Sequence, residues 1–130
     1  MSEFAKSLTV SASGLQAQSA RLRHLSENIS NADTPGYQRK TIAFETAFSA
    51  VQGVSPVEVG RVSLDDRELE LIHDPSHPLA DESGHYRGSN VNLLIELADA
   101  REAQRSYEAN LKMFEQARQM SSSLMQLLRR

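Results

Sequence analysis

Residues 28–37 read NISNADTPGY, and they close more than twenty positions in which apolar and polar residues alternate on a helical period. Leu8, Leu15, Leu22 and Ile29 recur every seven residues, Leu25 adds a further seam position and Ala12 widens the stripe. A heptad of this kind marks a helix that packs along its length against other helices. Ser11 and Gln18 stand where leucine would be usual, so polar groups dilute the seam. A helix over residues 4–31 would be about 40 Å long.

The stop signal is equally specific. Thr34 precedes Pro35 and is pushed away from helical dihedrals. Pro35-Gly36 fits the two central positions of a type II turn, with fixed φ at Pro and positive φ at Gly. Asn31 and Asp33 can bond backbone groups left unpaired at the helix end. A long helix ending in a defined reversal is therefore expected.

The C-terminal third carries the second strong pattern. Leu93, Leu97, Ala100, Ala103, Tyr107, Leu111, Phe114, Ala117, Leu124 and Leu128 mark one helical face, with Met120 beside it, and no Gly or Pro interrupts residues 91–130. Asn90 or Asn92 is the expected cap, with Glu96 near the positive helix end. Between the helices the reading is weaker. Phe44, Ala47, Phe48 and Val51 have helical spacing and predict a short amphipathic helix. Val57/Val59, Val62/Leu64 and Leu69/Leu71 alternate, with Gly60 as a bulge position. They predict a hairpin joined near Asp65-Asp66-Arg67. Residues 73–92, rich in Pro and Gly, read as an extended loop. The expected fold class is mainly α: two long terminal helices packing as a coiled coil, with a small insert containing a β-hairpin. The units are residues 1–34, 35–90 and 91–130.

Composition limits the function classes. The 130 residues contain no cysteine and no tryptophan, which excludes disulfides and thiolate metal sites. Residues 1–40 carry five basic and three acidic groups, residues 41–90 three and nine, and residues 91–130 six and five. The middle segment is thus acidic, and no basic stripe of a nucleic-acid binder is present. The N-terminus lacks the pattern of a cleavable secretory signal, and no run approaches a membrane span. His73 and His77 flank Asp74, near His85, but Pro75 and Pro78 forbid the helical face that would align them for a metal. The acidic run from Asp65 to Asp74 lacks the spacing of a calcium loop. No phosphate loop, nucleophile elbow or zinc-protease motif occurs, so neither an enzyme nor a small-molecule or cofactor site is expected. Asn28-Ile29-Ser30 matches a glycosylation sequon inside a predicted helix.

Residues 11–40, with Asn28, Ile29, Asn31, Ala32, Thr34, Pro35, Gly36 and Tyr37 at their core, resemble the N-terminal motif of bacterial flagellar rod and hook proteins. Residues 73–120, through DPSHPLAD, NVN and SYEAN, resemble the C-terminal part of the basal-body rod proteins of the FlgC type. Gly88-Ser89 stands where that family usually has a proline. The resemblance implies a non-enzymatic subunit of the proximal rod. Such a subunit assembles with copies of itself, with other rod proteins and with the inner-membrane ring adaptor, around an export channel. It is exported by the flagellar type III apparatus without signal cleavage, and the rod spans the periplasm and transmits torque for motility. The assembly residues it implies are Leu8, Leu15, Leu22, Asn28, Ile29, Asn31, Pro35, Gly36, Tyr37, Leu97, Tyr107, Leu111 and Phe114. The terminal helices would order fully on assembly. The competing reading is a cytosolic coiled-coil adaptor that binds a partner helix.

Overall fold

The computed structural model describes residues 3–46 and 56–129. The first helix, α1, runs Glu3–Ser30, and its closing residues follow the sequence reading. Gly36 has φ +76°, and the Tyr37 amide donates to the Thr34 carbonyl at 3.2 Å, which closes a type II turn over Pro35-Gly36. The side chain of Asn31 returns to the Glu27 carbonyl at 2.9 Å, satisfying one acceptor of the last helical turn.

The turn sends the chain back along α1 as β1 (Lys40–Thr46), which pairs antiparallel with β2 (Val57–Leu64). Lys40 lies beside Asn28, whereas the Val57 amide donates to Ser13 Oγ at 3.0 Å. The ribbon therefore follows α1 for about four turns. Ile42 pairs with Val62 and Phe44 with Val59, so Ala43 faces both Gly60 and Arg61. This is the bulge expected at Gly60. A side chain there would meet the Ala43 carbonyl oxygen at 2.8 Å.

Three expectations for the insert are corrected. Phe44 lies in a strand rather than a helix, while Ala47, Phe48 and Val51 lie outside the described residues. β2 does not form a hairpin with the Leu69/Leu71 segment. That segment contributes β3 (Leu71–His73), which pairs with β4 (His85–Arg87) in a separate two-stranded sheet. The supposed extended loop thus contains a strand. Alternation gave the strand periods but could not choose partners. The choice is made at Asp65, whose amide donates to the Arg39 carbonyl at 2.7 Å and extends the β1–β2 pairing past Leu64.

The last helix, α2, runs Leu93–Leu128. Asn92 is its cap, accepting from the Leu94 amide at 3.1 Å. The two helices lie antiparallel, with Asn28 beside Glu96, Gly14 beside Asn110, and Phe4 sharing a groove with Met120. Apart from Leu25, the fully buried residues of the two helices are small or polar. Ser11, Ala17, Leu25 and Asn28 are buried on α1, and Glu96, Ala103 and Ala117 on α2. A Cβ on Gly14 would lie 2.7 Å from Asn110 Oδ1, so the Asn110 side chain packs directly on the Gly14 backbone. Among the described residues, no helix is long and apolar enough to cross a membrane.

Gly36 tests the turn in isolation, because an added Cβ would meet no atom within 4 Å. Its substitution therefore probes backbone strain alone. Gly36→Val is expected to cost at least about 1–2 kcal/mol, the left-handed penalty for an L-residue, and Gly36→Asn clearly less. Urea unfolding of the two variants measures the difference.

Candidate functional site

Two features stand out: a buried polar junction at the closed end of the helix pair, and an apolar surface that the chain leaves uncovered. Asn28, fully buried in the last turn of α1, anchors the junction. Its Nδ2 donates to the Lys40 carbonyl at 2.9 Å and to Glu96 Oε2 at 3.3 Å. Its Oδ1 accepts from the Tyr37 hydroxyl at 2.8 Å and the Lys40 amide at 2.9 Å. Two donors and two acceptor positions are all that a side-chain amide has, so Asn28 is fully used within the chain. The sequon at this position is therefore closed to modification.

Arg39 binds the other side of Glu96. Its Nε donates to Glu96 Oε1 and its Nη2 to Asp99 at 3.2 Å, and Asp65 lies 3.7 Å away. Glu96 is fully buried, so it acts as the partner of Arg39 and Asn28 rather than as a solvated charge at the helix end. Asn90, the other expected cap, instead accepts from the Arg39 amide at 2.6 Å and donates to the carbonyls of Asp65 and Arg67. The turn is clamped from the far side as well. The Gly36 amide donates to the carbonyls of Arg87 and Gly88, and Ser89 Oγ donates to the Ala32 carbonyl. Ser89 takes this role at the segment where the family pattern has proline.

The charges follow from these bonds. The Lys40 ammonium, 2.5 Å from Glu27, holds the Glu27 carboxyl below its ordinary range, and the same bond to Glu27 raises Lys40. Arg67, through side chain and amide, lowers Asp65. Burial, then the nearby Glu27 charge, raises Tyr37 and keeps its phenol a donor. Asp74 and Asp81 are lowered by bonds from Ser76 and Ser83. Among the described residues, Gln18 Oε1 and His24 Nδ1 are buried without a hydrogen-bond partner.

The candidate assembly residues divide into two sets. Asn28, Asn31, Pro35, Gly36 and Tyr37 belong to the junction and turn. Leu8, Leu15, Leu22 and Ile29 lie half-buried on one flank of α1, beside the seam of Ser11, Gln18 and Leu25. Tyr107 and Phe114 are half-buried, whereas Leu97 is 52 % and Leu111 36 % exposed. Leu15 and Tyr107 line one open groove of about 410 Å³. The fully buried apolar set among the described residues is thus three alanines and Leu25, while the α1 leucines of the heptad are half-covered and Leu97 and Leu111 face outward. The chain's accessible surface is 9202 Å², against about 6,800 Å² for a compact monomer of this mass. Sequence reasoning missed Arg39, Glu96, Asn90 and Ser89 as junction residues. A polar residue on an otherwise apolar helical face, as Glu96 is, was the available signal.

The histidines serve the loop. His77 stacks on Tyr86 with ring centroids 3.9 Å apart and accepts from the Leu79 amide at 3.1 Å, and His73 lies 4.6 Å from His85.

Comparison with known proteins adds an independent finding. The family pattern described as flagella basal body rod protein matches residues 8–38, and that described as flagellar basal body rod FlgEFG protein C-terminal matches residues 82–127. The chain is 45 % identical to the flagellar basal-body rod protein FlgC of Agrobacterium fabrum, over 92 % of this chain and 91 % of that protein. It is 32 % identical to the FlgC protein of Bacillus subtilis, covering 81 % and 85 %, and 30 % identical to that of Salmonella typhimurium, covering 85 % and 87 %.

Arg39→Leu leaves Glu96 buried without its cation and is expected to cost about 3–5 kcal/mol. Adding Glu96→Leu should recover a substantial part, as read from urea midpoints of the single and double variants. The lowered carboxyls give a pH test with a defined sign. Glu27 and Asp65 bind protons less readily folded than unfolded, so their contribution is complete above the ordinary carboxylate range of about 4. It is lost as pH falls through the folded values. The melting temperature should drop there, and Glu27→Gln should shrink the drop.

Proposed function

The chain belongs to the FlgC-type family of flagellar basal-body rod proteins, and we propose that it builds the proximal rod by covering its outward leucine flanks with those of neighbouring subunits. It is a structural subunit of the basal-body rod and assembles there with other rod proteins. The observation that carries the proposed mechanism is the surface division: a junction saturated within the chain beside half-buried leucines on α1 and exposed leucines on α2. An open apolar face of this extent marks an interaction site.

In this reading α1 and α2 stand in a tube around the export channel. Leu8, Leu15, Leu22 and Ile29 meet the Leu97, Tyr107, Leu111 and Phe114 face of an adjacent copy or homologous rod protein. Asn28, Asn31, Pro35, Gly36 and Tyr37 act within the subunit, fixing the direction in which the β1–β2 ribbon leaves the tube. Repeated contacts of this kind resist torsion, which a shaft carrying motor torque requires. Family membership is the support for export through the flagellar type III apparatus to a rod that crosses the periplasm. At its base the rod meets the inner-membrane ring adaptor. No observation favours the alternative of a cytosolic adaptor, and the relatives speak for the rod.

Leu97→Asp separates assembly from folding, because Leu97 is 52 % exposed in the single chain. Its stability should stay within about 0.5 kcal/mol of the parent, as for other surface changes. Its recovery in purified hook–basal bodies, and swimming of the cells, should be lost. Normal incorporation would contradict the proposed face.

A further inference from the structure

The β1–β2 ribbon has an unpaired edge. Among the described residues its sheet holds two strands, so β2 (Val57–Leu64) pairs with β1 on one side only. The Asp65 amide turns inward to the Arg39 carbonyl, whereas the Val57 amide turns away from β1 to Ser13 Oγ. Amides alternate sides along an antiparallel strand, and the Gly60 bulge absorbs the change of phase between these two ends. The amides of Val59, Val62 and Leu64 therefore point away from β1. Neither Lys nor Pro, the usual guards of an exposed edge, occurs within β2. Val59, Val62 and Leu64 are 43 %, 41 % and 56 % exposed, so α1 leaves the apolar side of this edge open.

The charges on the ribbon are of both signs and uncommitted. Glu58 stands directly opposite Glu45, a like-charge pair that works against the pairing of their own strands. Glu45 Oε1 leans over Gly60, where an added Cβ would lie 3.0 Å from it. Arg61 follows and is exposed. Among the described residues, no ion pair involves Glu45, Glu58 or Arg61. The ribbon thus offers two carboxylates without a cation and, on the same edge, a cation without a carboxylate.

We propose that β2 pairs antiparallel with β2 of a second copy about a two-fold axis, in the register that sets Val59 against Val62 of the other chain. In this register Val57 meets Leu64 and Val59 meets Val62, each twice by symmetry. The outward amides of Val59 and Val62 face each other, as a hydrogen-bonded pair requires. Gly60 meets Arg61 of the second copy. The missing side chain leaves room there, and Glu45 and Glu58 flank the incoming guanidinium. The two bulges oppose one another at the axis. A shift by one residue in either direction would set apolar residues against Glu58 and Ser63, so side-chain pattern and charge select the same register. Two ribbons of two strands become one sheet of four, and a two-stranded ribbon alone is marginal in water. A two-fold contact closes on itself. It pairs free chains, adds no step to a growing rod and is separate from the leucine flanks.

Sedimentation velocity on the purified chain over a concentration series tests the pairing, with hydrogen exchange and mass spectrometry on the same samples. The parent chain is expected to pass from monomer to dimer, with residues 58–64 gaining protection as the dimer forms. Arg61→Glu and Glu58→Arg each set like charges across both symmetric contacts, and each alone should raise the dissociation constant more than about tenfold. An equimolar mixture of the two variants restores opposite charges at both contacts and should recover the dimer. Thermal melts check that each variant is folded. A parent chain that stays monomeric at every concentration would overturn the pairing. So would a dimer that survives both substitutions, a dimer protected in residues 111–128 of α2 instead of in β2, or a mixture of variants that stays monomeric. The rod assignment stands or falls separately, on recovery of the chain in basal bodies.

Discussion

Four hydrogen bonds to one side chain hold this molecule together. Asn28 ties the last turn of α1 to both backbone groups of Lys40, to Tyr37 and to Glu96. Three parts of the chain that are distant in sequence thereby share one point. The helix end, the returning strand and the start of α2 cannot move independently without leaving buried donors or acceptors unmet, at about 1–3 kcal/mol for each group. Arg39 gives the same point its charge balance, because Glu96 is buried and needs a cation. Register along the helix pair follows, since Asn28 can meet Glu96 in only one alignment.

That alignment explains why the helices can afford a poor apolar core. The buried hydrophobic side chains among the described residues are Leu25 and three alanines, Ala17, Ala103 and Ala117. Alanines bury little area, so their contribution through the hydrophobic effect is small. Gly14 adds room for the Asn110 side chain to pack on α1. Larger side chains such as Leu97 and Leu111 stand on the flanks. A conventional leucine seam within the chain would stabilise the monomer and remove the surface from assembly. Polar specificity inside and apolar surface outside are two sides of one arrangement.

Much of this was legible in the sequence, and the exceptions have physical causes. The two helices, the type II turn with positive φ at Gly36, the Gly60 bulge and the Asn92 cap all follow from local rules: period, cap chemistry and steric freedom. Strand partners did not follow, because alternation in Leu69/Leu71 fits either sheet and the choice depends on Asp65, Arg39 and Asn90 meeting across the fold. The heptad of leucines lies half-buried, beside the residues that the chain covers completely. Periodicity finds a stripe, and it cannot say which edge of that stripe the chain itself will cover. The junction escaped notice for a similar reason. Glu96 looked like a charge suited to a helix start, and only a partner 57 residues away, Arg39, reveals it as a buried ion pair.

The central claim is that the junction is complete in the single chain and that the leucine flanks are completed by neighbours. Hydrogen exchange followed by mass spectrometry, on the free chain and on the chain in isolated basal bodies, addresses both halves at once. The account expects slow amides around Asn28 and in the turns of α2 after Glu96 in both states, with residues 111–128 gaining protection only in the rod. Fast exchange around Asn28 and Glu96 in the free chain, with protection appearing there only on assembly, would contradict it.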